Sequence, residues 1–94
     1  SRRLDPENLV RMANRIGDFF AARPDRSEAC DGVATHLCRY WEPRMRRQIL
    51  ALLDRGEAPG LSDLVREALE RHRARIEPAE PAAARTGKAR STSA

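Results

Sequence analysis

The sequence predicts an all-α fold: a small bundle of about four amphipathic helices over residues 5–76, followed by a disordered tail over 77–94. Three observations carry that reading. Apolar residues recur at helical spacing in successive segments. Residues that cap or break helices separate those segments. Nothing in the chain reads as a strand.

The first helix is expected over residues 5–22. Asp5 is a good N-cap and Pro6 fits the first helical position. At about 100° per residue, Leu9, Met12, Ala13, Ile16, Phe19 and Phe20 share a stripe about 120° wide, with Arg11, Arg15 and Asp18 opposite. Gly17 interrupts this pattern at a cost of about 1 kcal/mol relative to Ala, which a close neighbour would explain. Arg23-Pro24-Asp25 ends the helix, because proline disfavours helical geometry in the residue before it.

A second helix is expected over 27–40, with Ala29, Val33, His36, Leu37 and Tyr40 on one face and Cys38 pointing the other way. Pro43 disfavours helical geometry at Glu42 and suits the first turn of a third helix, over 43–55. Met45, Ile49, Leu52 and Leu53 form its stripe, with Leu50 at the edge, and Gly56 fits the position just past its end. Residues 57–60 form a short loop. Ser62 caps a fourth helix, and Asp63 sits where the positive helix end favours an acid. Leu64, Val65, Ala68, Leu69, His72 and Ile76 line its inner face, while Glu67 and Glu70 pair with Arg66, Arg71 and Arg73 outside. Beyond residue 76 Pro, Ala, Ser, Thr and Gly dominate, and the periodicity stops.

Ninety-four residues make one small domain at most. The chain has no apolar run of the roughly 20 residues that a membrane span needs. No apolar segment follows Arg2-Arg3, so no secretory signal is visible. Cys30 and Cys38, on one helix, lie about 12 Å apart at about 1.5 Å rise per residue. A disulfide needs less than about 7 Å between Cα atoms. They read as free thiols, and the expected location is a reducing cytoplasm. The net charge is +4, and all of the basic residues but Lys88 are Arg. That excess permits binding to nucleic acid or to an acidic protein face without requiring either. A GC-rich coding sequence also writes Arg in place of Lys. A domain this short buries only about 60% of its unfolded surface, so a partner covering more apolar area would help it.

The residues argue against several chemistries. Cys30, His36, Cys38 and His72 lack the close pairing of a zinc site. His36 and His72 lie on apolar stripes, where a histidine usually packs and makes one hydrogen bond. There is no nucleophile elbow, glycine-rich phosphate loop or HExxH. The carboxylates sit on polar helix faces. Arg44, Arg46 and Arg47 beside Trp41 could contact phosphate and stack on a base, but acids interleave the basic residues on every helix. A protein-interaction surface remains. Tyr40-Trp41-Glu42-Pro43-Arg44-Met45-Arg46 concentrates the residue types enriched at interface centres, and all the aromatics lie between Phe19 and Trp41. Arg46 projects at the edge of the third helix's apolar face, while Arg44 and Arg47 point outward. Trp41 serves equally as a core plug or as an interface anchor.

At this corner the sequence resembles a known family. Residues Leu9-Val10-Arg11-Met12-Ala13-Asn14-Arg15-Ile16-Gly17-Asp18-Phe19-Phe20, Ala34-Thr35-His36-Leu37, Trp41-Glu42-Pro43-Arg44-Met45-Arg46 and Gly60-Leu61-Ser62 are similar to the small delta subunits of cytoplasmic, NAD-dependent, molybdenum- or tungsten-containing formate dehydrogenases. The likeness covers residues 9–72. Tyr40 stands where the family often has Phe.

The resemblance implies a non-catalytic accessory subunit that binds no cofactor or metal itself. It implies a catalytic (alpha) subunit as direct partner, and beta and gamma subunits through it. That complex would carry a bis-pterin guanine dinucleotide Mo or W centre, iron–sulfur clusters and FMN, and would oxidise formate while reducing NAD. The implied role is assembly, stability or cofactor retention. The expected contacts are Trp41, Arg44, Met45 and Arg46, with Arg11, Asn14 and His36 in second rank. Competing readings are a cofactor-insertion chaperone that leaves the mature enzyme, a small Arg-rich nucleic-acid-binding protein and a regulatory homodimer.

Overall fold

The computed structural model describes residues 5–79. Its helices are α1 (Pro6–Phe20), α2 (Arg26–Tyr40), α3 (Pro43–Asp54), α4 (Asp63–Arg71) and the single turn α5 (Arg73–Ile76). No strand occurs among the described residues, so the fold is all-α as expected. Most of the expected disordered tail, from residue 80 onward, lies outside the described residues.

The helix ends follow local chemistry. Asp5 Oδ1 accepts from the Glu7 amide at 3.4 Å, and Ser62 Oγ accepts from Val65 at 3.3 Å. Each satisfies an amide that the first turn leaves without a helical partner. The second helix starts at Arg26 rather than Ser27 because Asp25 supplies the cap, its Oδ1 2.9 Å from the Ser27 amide. At the end of α3 the chain turns through Gly56 at φ +69°, which an L side chain rarely adopts. The Gly56 amide bonds Leu53 O at 3.1 Å and the Glu57 amide bonds Leu52 O at 2.8 Å, the paired closure of a Schellman motif.

The second helix is the centre of the bundle, packed against α1, α4 and α5, and α1 also meets α3 and α4. Leu9, Val33, Leu37, Ile49, Val65 and Leu69 are fully buried. Because α2 is covered on several sides, Cys30 and Ala34 are buried beside the expected Ala29, Val33 and Leu37. Gly17 is buried where α1 crosses α4. A Cβ there would lie 2.7 Å from Val65 Cγ2 and 3.1 Å from Ser62 Oγ. The expected close neighbour is therefore the N-terminal turn of α4.

Several expectations are corrected. The inner face of α1 is centred on Leu9, Val10, Ala13 and Gly17, since α4 presses on the glycine. Phe19 is consequently turned outward and is 69% exposed. Tyr40 likewise leaves the α2 core face and is 68% exposed. Leu50 is fully part of the core rather than at its edge. The single fourth helix divides at His72, whose backbone (φ −112°, ψ 28°) departs from helical geometry. Ile76 remains buried, two turns beyond Leu69 on the same face. Of the expected helical ion pairs, Glu67–Arg71 forms at 3.2 Å, but Glu67 sits closer to Arg26 of α2, at 2.7 Å. Arg73 pairs with Asp54 of α3 instead.

Candidate functional site

The turn between α2 and α3 is built from Trp41 outward. Its amide still bonds Leu37 O at 3.0 Å, while its own φ and ψ (−93°, 135°) carry the chain out of the helix. The indole is 6% exposed and belongs to the core, one of the two roles the sequence left open. Arg46, one turn into α3, folds back beneath it. Its Nε donates to Trp41 O at 3.3 Å and its Nη1 to Ile76 O at 3.1 Å. Both carbonyls lie at helix C-terminal ends, where a cation is favoured and a carbonyl lacks a helical partner. Arg46 thus meets backbone oxygens rather than a carboxylate. Arg44 and Arg47 are exposed as expected, and Met45 is half-buried against the core.

The other candidates are placed elsewhere. Asn14 bridges α1 to the turn before α4: its side-chain amide donates to Gly60 O at 2.9 Å, and its Oδ1 accepts from the Ser62 amide at 2.8 Å. Arg11 is exposed and donates to Asn8 Oδ1 at 3.1 Å. His36 is half-buried on α2, its ring 4.7 Å from that of Tyr40 and 6.4 Å from that of Phe20. The seven residues therefore do not form one patch. Trp41, Arg44, Met45 and Arg46 surround the α2–α3 turn, Arg11 and Asn14 flank the loop before α4, and His36 lies in a groove between α1 and α2.

That groove is lined by Arg15, Ile16, Phe19, Phe20, His36 and Tyr40 and has a volume of about 430 Å³. Phe20 is fixed within it. Its ring stands edge-on to Phe19 at 4.9 Å and lies under the Arg23 guanidinium, 5.4 Å from the centroid. Behind it is Gly32, where any Cβ would collide with the ring. A shallower extension of the groove adds Asp31, Gly32, Thr35 and Arg39.

Ion pairs shift a few titrating groups. Hydrogen bonding to Arg26 holds the Glu67 carboxyl below its ordinary range, and Arg73 does the same to Asp54. Burial, with Glu67 nearby, pushes the Cys30 thiol up. These groups tie helices together and lie outside the groove. Among the described residues no group of three or more His, Cys, Asp or Glu is placed to share a metal ion, and no helix is long and apolar enough to cross a membrane.

Residues 8–69 match the family model of the NADH-dependent formate dehydrogenase delta subunit, FdsD. The chain belongs to this family. No curated protein and no solved structure matches it. In this delta-subunit chain the matched segment contains every candidate contact residue and both close glycine contacts, Gly17 with Val65 and Gly32 with Phe20.

Phe19 and Phe20 were not among the expected contacts of the delta subunit, because helical periodicity assigned both to the core stripe. One signal was available. Adjacent residues on a helix differ by about 100°, so two neighbouring phenylalanines cannot both sit at the centre of one face.

Proposed function

We propose that this chain is a non-catalytic accessory subunit of a cytoplasmic, NAD-dependent, metal-pterin formate dehydrogenase. It docks on the catalytic (alpha) subunit, which links it to the beta and gamma subunits. There it supports assembly, stability or retention of the metal cofactor. The bis-pterin Mo or W centre, the iron–sulfur clusters and the FMN belong to those larger subunits. The observation that carries this reading is the family match, which spans nearly the whole described bundle. The exposed aromatic rings of Phe19 and Tyr40 support a docking role, since large apolar groups left in water gain free energy when a partner covers them.

In this reading Arg44, Met45, Arg11 and His36 are contact groups at the surface. Trp41, Arg46 and Asn14 act from within, by keeping the turns that carry those groups in place. The test is affinity purification of the tagged full chain from its native host, with protein identification and a formate-to-NAD assay. Recovery of a large pterin-dependent subunit together with formate-dependent NADH formation is the expected result. Recovery of the chain alone, or with nucleic acid, would overturn the reading.

A further inference from the structure

We propose that the groove between the C-terminal ends of α1 and α2 seats an apolar side chain carried on an acidic segment of the partner subunit. This rests on the accessory-subunit reading and adds the site and the chemistry of its occupant.

The groove is apolar at its floor and cationic at its rim. Ile16, Phe20 and His36 form the floor, and the exposed rings of Phe19 and Tyr40 form the walls. Phe20 is held by Phe19, Gly32 and Arg23, so the floor exists before anything binds. A preformed aromatic surface loses little side-chain entropy on association, which is why such rings dominate interface energetics. Arg15 and Arg39 stand at the edges and make no hydrogen bond or ion pair among the described residues. Arg26 pairs with Glu67, Arg73 with Asp54 and Arg75 with Asp31, while among the described residues Arg44, Arg47 and Arg66 are unpaired like Arg15 and Arg39 but border no aromatic groove. Asp31, the acid bordering the groove, is thus already neutralised by Arg75, at 2.7 Å. The unmatched cations around an apolar floor call for carboxylates flanking an apolar side chain.

Other occupants fit less well. A second copy placed groove to groove would bring Arg15 and Arg39 against the same cations, and like charges at an interface are repulsive. Residues 80–94 carry Arg85, Lys88 and Arg90 against Glu80 alone, with no apolar residue beyond Ala and Pro. That composition has neither the charge nor the side chain the groove requires.

The test compares tagged full-length chain with its Phe19→Ser and Arg15→Glu variants, each purified from cells that also produce the rest of the complex. Arg66→Glu on α4 is the matched charge change away from the groove. Recovery of the large subunit is measured per tagged chain, with helix content and melting temperature checked on each free chain, and its sedimentation measured. Phe19→Ser and Arg15→Glu should each lower recovery at least about tenfold, with Arg66→Glu unchanged and all free chains folded and monomeric. Recovery falling with added salt in the wild type, and less steeply in Arg15→Glu, would further support flanking carboxylates. If the unmodified chain recovers the large subunit and the groove variants recover it equally, the groove assignment fails while the accessory-subunit reading stands. If the groove variants instead abolish self-association of the free chain, the occupant is a second copy and the proposal is wrong. If the unmodified chain recovers no formate dehydrogenase subunit, both fail.

Discussion

Arg46 on α3 donates to the carbonyl of Ile76, 30 residues away at the end of α5, at 3.1 Å. The same guanidinium bonds Trp41 O, so one side chain clamps the α2–α3 turn to the last turn of the bundle. Cys38 adds to this closure, its thiol donating to Arg75 O at 3.3 Å. The last helical turn is therefore held by side chains of α2 and α3 rather than by continuation of α4.

Removing the clamp should loosen that end first. Arg46→Ala is expected to lower stability by about 1–3 kcal/mol, because two carbonyls lose a charged donor. Arg46→Lys should recover only part of this, since an ammonium lacks the planar fork that reaches both oxygens. Urea unfolding gives the magnitude. Hydrogen exchange should show the α5 amides losing protection before those of α2. Uniform loss of protection would contradict the clamp.

Gly17→Ala tests the crossing of α1 over α4. The helix gains about 1 kcal/mol of propensity from alanine. The new methyl must displace Val65 Cγ2, at 2.7 Å, in a fully buried site, and overpacking typically costs about 1–3 kcal/mol. A net loss is expected. Combining it with Val65→Ala should cost less than the sum of the single changes, because the two methyls compete for one space. Strict additivity would show that the contact is not limiting.

Asn14→Ala should cost about 1–3 kcal/mol by leaving Gly60 O and the Ser62 amide without their partner. Exchange at residues 60–62 should rise more than in α3. An unchanged loop would mean that the Ser62 cap alone holds the start of α4.

Acid should weaken the bundle through its tertiary ion pairs. Glu67 and Asp54 both have folded values below their ordinary ones, so the unfolded chain takes up protons first as pH falls. Their contribution is present above about pH 4 and is lost as pH drops through the folded values. The melting temperature should therefore fall as pH drops below about 4.5, the ordinary carboxylate range. Glu67→Gln and Asp54→Asn should each flatten that fall. Asp54 is exposed and Glu67 half-buried, so the effect should shrink in high salt, more for Asp54 than for Glu67.

The two thiols should differ in reactivity. Cys30 is fully buried and its thiol is pushed up, mainly by burial, whereas Cys38 is partly exposed. Since the thiolate is the nucleophile, iodoacetamide should label Cys38 of the native chain well before Cys30. Equal rates would indicate that the core around Cys30 opens readily.

The caps and periodicities were legible because they are local. Asp5, Pro43, Gly56 and Ser62 each act on amides or dihedrals within a few residues. Gly17 was legible as an anomaly, and its neighbour emerged only in three dimensions. Which way each helix is rolled was not legible, because a stripe about 120° wide permits several rotations. That roll decides whether Phe19 or Val10 faces inward. Arg46 illustrates a second limit. Its position at the edge of an apolar face was evident, but its acceptors are backbone carbonyls, which any sequence supplies. The cross-helix pairs Arg26–Glu67 and Arg73–Asp54 depend on packing for the same reason.

The most direct test of the accessory-subunit account is native mass spectrometry of the mature, formate-oxidising enzyme purified through a tag on a different subunit. The account predicts this chain in a fixed ratio to the large subunit in the active species. Active enzyme lacking the chain, with the chain found only on metal-free large subunit, would contradict it and make the protein an assembly chaperone.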